Sequence, residues 1–163
     1  MSKHIEYSNE ARKQLLDGID LLANAVSATL GPNGRNVVYR DETGEVRSTK
    51  DGVTVAKVIS LSDPVKSIAI DMLKQAAINT ANTAGDGTTT STLLAQSITR
   101  GGLTALDNKG NAVQIKREVD EAVKEVIAYI KANIAEEITA EDQLKQVATV
   151  SANNDEMVGN LIT

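Results

Sequence analysis

The stretch "AGDGTTTSTLLAQ" (residues 84–96) sets a helix-breaking turn directly against an apolar run. Thr88, Thr89, Thr90 and Thr92 fall within five positions, just ahead of Leu93 and Leu94. Threonine branches at Cβ and loses rotamer freedom in a helix, so it is a weak choice for a helix mouth. Asp86 stands between Gly85 and Gly87, a pattern suited to a tight turn. The same residue types are also the parts of an anion site. A helix's first turn offers free N–H groups and the positive end of the dipole. Glycine lets the backbone approach an oxyanion, and hydroxyls add donors around it. An aspartate there repels a bare phosphate, but it suits a Mg²⁺ that bridges to phosphates. Read alone, the stretch fits an Asp-Gly turn with threonine caps better than it fits a site.

Outward from this turn the chain is mostly helical. On its N-terminal side, Asp63 and Pro64 make a helix start, with Asp as cap and Pro in the first turn. Val65, Ile68, Ala69, Met72, Leu73, Ala76, Ala77 and Thr80 then follow the 3.6-residue period. On the other side, Leu93 to Leu106 reads as a helix, and a long one follows from Asn111 as N-cap. Thr139, with Asp142 three residues on, predicts a shorter helix to about Val150. "SANNDE" breaks it, and Met157 to Ile162 begins another.

Towards the N-terminus, Ala11, Leu15, Ile19, Leu22 and Val26 put one apolar stripe on a helix from Asn9 to about Ala28. "TLGPNGR" (29–35) stops it. The segment "NVVYRDETGEVRSTKDGVTV" (36–55) reads as β-hairpin material. Val37 to Arg40 and Val46 to Thr49 are its strands, and Val53, Val55 and Val58 follow a second turn at "KDG". No repeat or low-complexity tract interrupts this layout.

Composition narrows the function classes. The 163 residues are enough for one domain with a sizeable core or two small ones. Three tyrosines with no Phe or Trp leave a core of aliphatic residues, which suits close-packed helices. The same lack argues against a base-stacking platform for single-stranded nucleic acid. A net charge of −5 disfavours nonspecific binding to DNA or anionic membranes. The absence of cysteine removes disulfides, thiolate nucleophiles and Cys-based metal sites. The lone histidine, His4, reads as a solvated terminal residue, which sets aside Ser-His-Asp catalysis and His-based zinc. No P-loop pattern occurs. The N-terminus lacks the apolar run of a signal peptide and no segment reaches membrane-spanning length, so a cytoplasmic location is expected.

Three polar, glycine-containing breaks remain: "TLGPNGR" (29–35), "TKDGVTV" (49–55) and "AGDGTTTST" (84–92). Separately, each is an ordinary loop. Together, "TLGPNGRNVV", "TKDGVTVAKVI", "AGDGTTTSTLLAQSI" and "VATVSANNDEMVG", in this order and spacing, resemble the GroEL-type group I chaperonins. The similarity runs from the "EARKQLLDGIDLLANAV" helix to Gly159.

The resemblance implies a multihelical, mainly α equatorial-domain-like bundle with one small hairpin. Residues 1–134 would be the N-terminal half of the ATP-binding equatorial domain and 135–163 the start of the intermediate, hinge domain. It implies an ATP-dependent chaperonin subunit that assists protein folding in a ring of identical subunits. Unfolded proteins and a GroES-type co-chaperonin are the partners expected of the full-length parent. Neither nucleic acid nor membrane is among them. ATP, Mg²⁺ and K⁺ are the implied ligands. Thr29, Leu30, Gly31 and Pro32 match a motif lining the nucleotide pocket. Asp86 matches the Mg²⁺-holding aspartate, and Gly87, Thr88, Thr89 and Thr90 match the turn gripping the phosphates. Lys50 and Thr29 match positions at the phosphate end, where K⁺ also binds. Asp51 matches an aspartate near the γ-phosphate implicated in hydrolysis. Val150 and Ser151 match intermediate-domain residues close to the nucleotide. The hairpin at 37–49 resembles the stem-loop that pairs with a neighbouring subunit, although as residues alone it serves equally as a solvated local hairpin.

Some residues depart from the family pattern. Asn33 stands where lysine is usual, Ala112 where proline is usual, and "ETGEVRS" differs from the common stem-loop tip. The apolar pattern of Val158, Leu161 and Ile162 stops without a cap, which reads as a cut chain lacking the apical domain and the opposite wall of the pocket. The chain alone is then expected to be inactive as an ATPase. The competing expectation is a truncated chaperonin-like fragment, virus-encoded or partial, acting as an assembly or interaction module without ATPase or folding activity.

Overall fold

The computed structural model describes residues 5, 7–152 and 154–163. The reading of His4 as a solvated terminal residue falls outside them, as does Asn153 of the "SANNDE" break. Among the described residues the chain forms seven helices and one two-stranded antiparallel sheet, the mainly α architecture with a small hairpin that was expected. It divides into two compact units, Met1–Arg117 and Glu118–Thr163.

In the first unit, α1 (Ser8–Ser27) buries Gly18, Leu22, Ala23 and Val26, the side that its three-and-four spacing predicts. The hairpin strands are β1 (Val37–Arg40) and β2 (Val46–Thr49). Helices α3 (Pro64–Ala84) and α4 (Thr88–Asp107) pack on α1, and the short α2 (Gly52–Val58) touches all three. Leu22, Val26, Val55, Ile70 and Leu73 form one aliphatic cluster, each at most 4% exposed. A polar tie adds to it. Asp20 of α1 accepts from Gln96 Nε2 at 2.7 Å and Arg100 Nη2 at 2.6 Å, fastening α1 to α4.

Helix α3 starts and stops where its punctuation says. Asp63 Oδ1 accepts from the amides of Val65 (2.9 Å) and Lys66 (3.0 Å), and Gly85 closes the helix in the left-handed region. Replacing Asp63 with alanine is expected to cost the first unit about 1 kcal/mol, through the two amides left without their acceptor. A lower urea midpoint at unchanged slope would report it.

In the first unit, two elements differ from the sequence reading in type or by several residues. The valines after "KDG" are helical: α2 is capped by Asp51, whose carboxylate accepts from the amides of Val53 and Thr54. Gly52, Val55 and Ala56 are all buried, the i, i+3, i+4 pattern of one helix face. A strand would have turned the adjacent Val55 and Ala56 to opposite sides. Helix α4 begins at Thr88, five residues before Leu93. Thr92 is fully buried and Thr88 is 7% exposed, so tertiary packing outweighs their poor propensity. Thr92 Oγ1 and Ser91 Oγ each donate to the Thr88 carbonyl at 2.9 Å, which satisfies the inward hydroxyl of Thr92 within the helix.

At the hairpin tip Asp41 Oδ1 accepts from Thr43 Oγ1 (2.6 Å) and from the amides of Thr43 and Glu45, while the Arg47 guanidinium holds Oδ2. The Thr43 hydroxyl first, then Arg47, hold the carboxyl well below the usual range against the opposing effect of desolvation. The folded pKa is depressed, so the tip's contribution is complete at neutral pH. It is lost only as pH falls below the ordinary aspartate value of about 3.9 towards the lowered folded one. The protection of the Glu45 amide relative to its intrinsic exchange rate, followed by NMR down the pH scale, is expected to hold at that value and fall below it. Asp41→Asn should remove the acid dependence.

Helix α5 (Ala112–Asn133) starts at the expected cap: Asn111 Oδ1 accepts from the amides of Val113 (2.9 Å) and Gln114 (3.2 Å). In the second unit, α6 (Glu141–Ser151) packs against α7 (Glu156–Ile162). Ala140, not Thr139, is the N-cap of α6. The Gln143 carboxamide takes the amides of Thr139 and Ala140, which moves the boundary one residue on. Asp155 caps α7, and Gly159 lies so close to Thr149 that a Cβ would stand 2.1 Å from its hydroxyl.

Candidate functional site

Helix packing sets the second polar break against the third and brings both to the end of α1, from which the first break leaves. The first break follows α1. Thr29 Oγ1 donates to the Val26 carbonyl at 2.8 Å, and the Arg35 amide reaches back to the Ala28 carbonyl at 2.7 Å. The loop folds tightly enough that a Cβ on Gly34 would stand 2.3 Å from the Thr29 carbonyl oxygen. Leu30, Gly31 and Pro32 are consequently displayed outward, all exposed, with Gly31 at φ 76°.

The second break ends in the α2 cap. Asp51 Oδ1 accepts from the Val53 amide at 3.1 Å, and Oδ2 accepts from the Thr54 amide at 2.9 Å and the Thr54 hydroxyl at 2.6 Å. Burial pushes the Asp51 carboxyl up, but the bonds from Thr54 and Val53, with the Lys57 charge, outweigh it and hold the group below the usual value. Asp51 is therefore an ionised acceptor, not a group poised to exchange a proton near neutrality. Lys50 precedes it and is exposed.

The third break opens α4. Gly87 sits at φ 83°, a conformation that costs glycine little, and it has no side chain to cap the helix. The amides of Thr88, Thr89 and Thr90 precede the first intrahelical bond, from Ser91 N to the Gly87 carbonyl at 2.8 Å. Among the described residues no side chain caps this turn. Asp86 is exposed, and its Oδ1 accepts from the Gly87 amide at 2.6 Å. Of the four threonines, Thr88 and Thr92 face the core, Thr89 is half-buried and Thr90 exposed.

Gly52 joins these breaks. A Cβ built there would stand 2.2 Å from Thr89 Oγ1 and 3.3 Å from Val26 Cγ1. The start of α2, the first turn of α4 and the end of α1 therefore meet around one glycine. Asp51, next to Gly52, and Thr89 are neighbours through that contact, and Thr29 is bonded to the Val26 carbonyl at the end of α1. Leu30, Pro32, Lys50 and Asp86 lie exposed in their loops, and Thr90 is exposed in the first turn of α4. Val150 and Ser151 belong to the second unit, at the end of α6.

Val26, Gly52 and Thr54 hold this arrangement; the sequence reading placed Val26 only in the α1 stripe and the other two only within the "TKDGVTV" break, with no role at the site. For Thr54 a signal existed: Asp51 is a residue type that caps helices, and Thr54 stands three positions on, within reach of its carboxylate. The well-formed apolar groove of the first unit is elsewhere, between α1, α3 and α4, where Leu15, Ile19, Met72 and Leu103 line about 280 Å³. Among the described residues no cluster of three or more His, Cys, Asp or Glu could enclose a metal ion. Nor is any described helix long and apolar enough to cross a membrane.

Residues 22–163 match the TCP-1/cpn60 chaperonin family. The chain is similar to the chaperonin gp146 from bacteriophage EL 2 (Pseudomonas aeruginosa), crystallised in the presence of ATP-BeFx. Identity is 28% and the TM-score 0.78, over 96% of this chain and 27% of that one. It is also similar to a group III chaperonin in the open state, at 25% identity and a TM-score of 0.78, over 93% of this chain and 30% of that one. The chain thus spans less than a third of the length of these structural relatives.

Proposed function

Because the chain belongs to the TCP-1/cpn60 chaperonin family, we propose that it is the nucleotide-binding portion of an ATP-dependent folding machine of the group I type. Residues 1–134 make up the N-terminal half of its equatorial domain, and 135–163 begin its hinge domain. The four motifs in register support the group I assignment. The observation that carries the nucleotide reading is the close approach of Gly52 to Thr89, which sets the "KDG" break beside the first turn of α4.

The residues present suit Mg²⁺-ATP. The uncapped amides of Thr88, Thr89 and Thr90 are donors for phosphate oxygens, at the positive end of a 20-residue helix. Gly87 leaves room for a phosphate, since the nearest atom to a Cβ there is Thr80 Cγ2 at 3.9 Å. Mg²⁺ commonly takes one or two carboxylates and completes its shell with phosphates and water, so the single exposed Asp86 suffices as its protein ligand. That ion supplies neutralisation of phosphate charge. Thr29, Leu30, Gly31 and Pro32 line the pocket, and Lys50 with Thr29 marks the phosphate end, the region of the K⁺ ion. Asp51 orients the attacking water as a fixed acceptor, so catalysis is mostly positioning and electrostatics. A homo-oligomeric ring, unfolded client proteins and a GroES-type co-chaperonin complete the proposal for the whole machine.

An NMR titration of the chain with Mg²⁺-ATP tests the site. Amide shifts are expected at residues 29–32, 50–52 and 86–90. Shifts confined to the apolar groove of α1, α3 and α4, or none at saturating nucleotide, would sink the reading.

A further inference from the structure

We infer that Thr54 is a positioning residue: its hydroxyl fixes Asp51 Oδ2 at the start of α2, the end of that helix whose Gly52 lies against Thr89 of α4, an assignment that rests on the nucleotide reading above. Thr54 Oγ1 donates to Oδ2 at 2.6 Å, in addition to the two backbone amides that Asp51 already accepts. A helix cap needs only the amides. The third bond goes further, because it ties Oδ2 to a side chain as well as to the backbone. Thr54 is itself half-buried and β-branched, so its χ1 is held by the helix. The next residue after Asp51 is Gly52, where a Cβ would stand 2.2 Å from Thr89 Oγ1, so the start of α2 lies against the first turn of α4. A hydroxyl on α2 thereby holds the acceptor at the end of the helix that meets the first turn of α4.

The role predicts a split between ground-state and transition-state binding. A carboxylate that orients the attacking water matters little for a bound diphosphate. It matters for the planar phosphoryl mimic with water in line. Mg²⁺-ADP alone and Mg²⁺-ADP with aluminium fluoride are the two probes, titrated calorimetrically into the chain and its Thr54→Val and Thr54→Ser variants. Valine keeps the shape and removes the hydroxyl, and serine restores it. Thr54→Val is expected to weaken the fluoride complex about tenfold while changing Mg²⁺-ADP affinity less than about twofold. Thr54→Ser is expected to recover the fluoride affinity.

Other outcomes overturn the assignment. Equal affinities for the fluoride complex in all three chains show that the hydroxyl positions nothing. A parallel loss for both probes, with a lower melting temperature, shows Thr54 to be a helix cap only. A chain that binds Mg²⁺-ADP but gains nothing from fluoride removes the water-orienting role of Asp51, and that of Thr54 with it, while the nucleotide site stands. No binding of either probe removes the nucleotide reading itself.

Discussion

Replacing Gly18 with alanine is expected to destabilise the first unit by about 2 kcal/mol, although helix propensity alone predicts a gain of about 1 kcal/mol. Gly18 lies inside α1, where glycine is normally a weakness. Its reason is the crossing with α3. A Cβ at this position would stand 2.6 Å from the Lys66 carbonyl oxygen, 3.1 Å from Lys66 Cα and 3.2 Å from Ala69 Cβ. The first two are backbone atoms, so no rotamer change relieves the contact. The helices must separate, and that loosens Leu22, Val26, Ile70 and Leu73 in the cluster beneath them. Gly101 supplies the control. It lies inside α4, exposed, with nothing within 4 Å of a built Cβ. Gly101→Ala should therefore show propensity unopposed and stabilise by about 0.5–1 kcal/mol. Urea unfolding of both variants reads opposite signs. If Gly18→Ala also stabilised the chain, the close packing of α1 on α3 would be wrong.

The same contrast explains what could be read from the chain and what could not. The boundaries of α3 were legible because Asp63-Pro64 and Gly85 act locally, through the amides and the backbone angle of their own neighbourhood. The stripe of α1 was legible because twenty residues give the periodicity room to declare itself. Helix α2 was not: seven residues hold two turns, and its valines at 53, 55 and 58 also suit a strand. The start of α4 was missed for a different reason. Thr88 and Thr92 look like a propensity defect locally, and only burial against the rest of the bundle makes them core residues. The candidate site divides in the same way. The order of the three breaks was visible as motifs, and their residue chemistry suggested phosphate. The meeting of α2, α4 and the end of α1 around Gly52 was not visible, because a glycine that permits close approach leaves no periodic trace. Thr54 sits between these cases, since its capping pattern is local but acquires a functional meaning only once α2 is known to touch α4.

Asp86→Ala is expected to weaken Mg²⁺-ATP binding at least about 100-fold, or roughly 2.7 kcal/mol, while leaving the fold in place. The carboxylate is exposed and accepts one bond from the neighbouring Gly87 amide, so its removal takes little from the packed structure. Gly87 already turns the chain through its own left-handed conformation. The informative comparison is the same pair of titrations with Mg²⁺ chelated. A carboxylate beside the phosphate-gripping turn opposes the polyanion when no metal stands between them. Wild type should then bind ATP weakly, and Asp86→Ala should bind it no worse, and better if the repulsion is felt. Adding Mg²⁺ should restore the wild-type affinity and change the variant little, so the two lines cross. A general loss of ATP affinity that is the same with and without Mg²⁺ would mean that Asp86 shapes the turn and holds no metal. That result would move the phosphate grip onto the α4 amides alone. No effect in either condition would place the nucleotide away from the Gly85–Thr90 turn altogether. The crossing depends on charge rather than on shape, which separates a metal ligand from a turn residue in a single pair of curves.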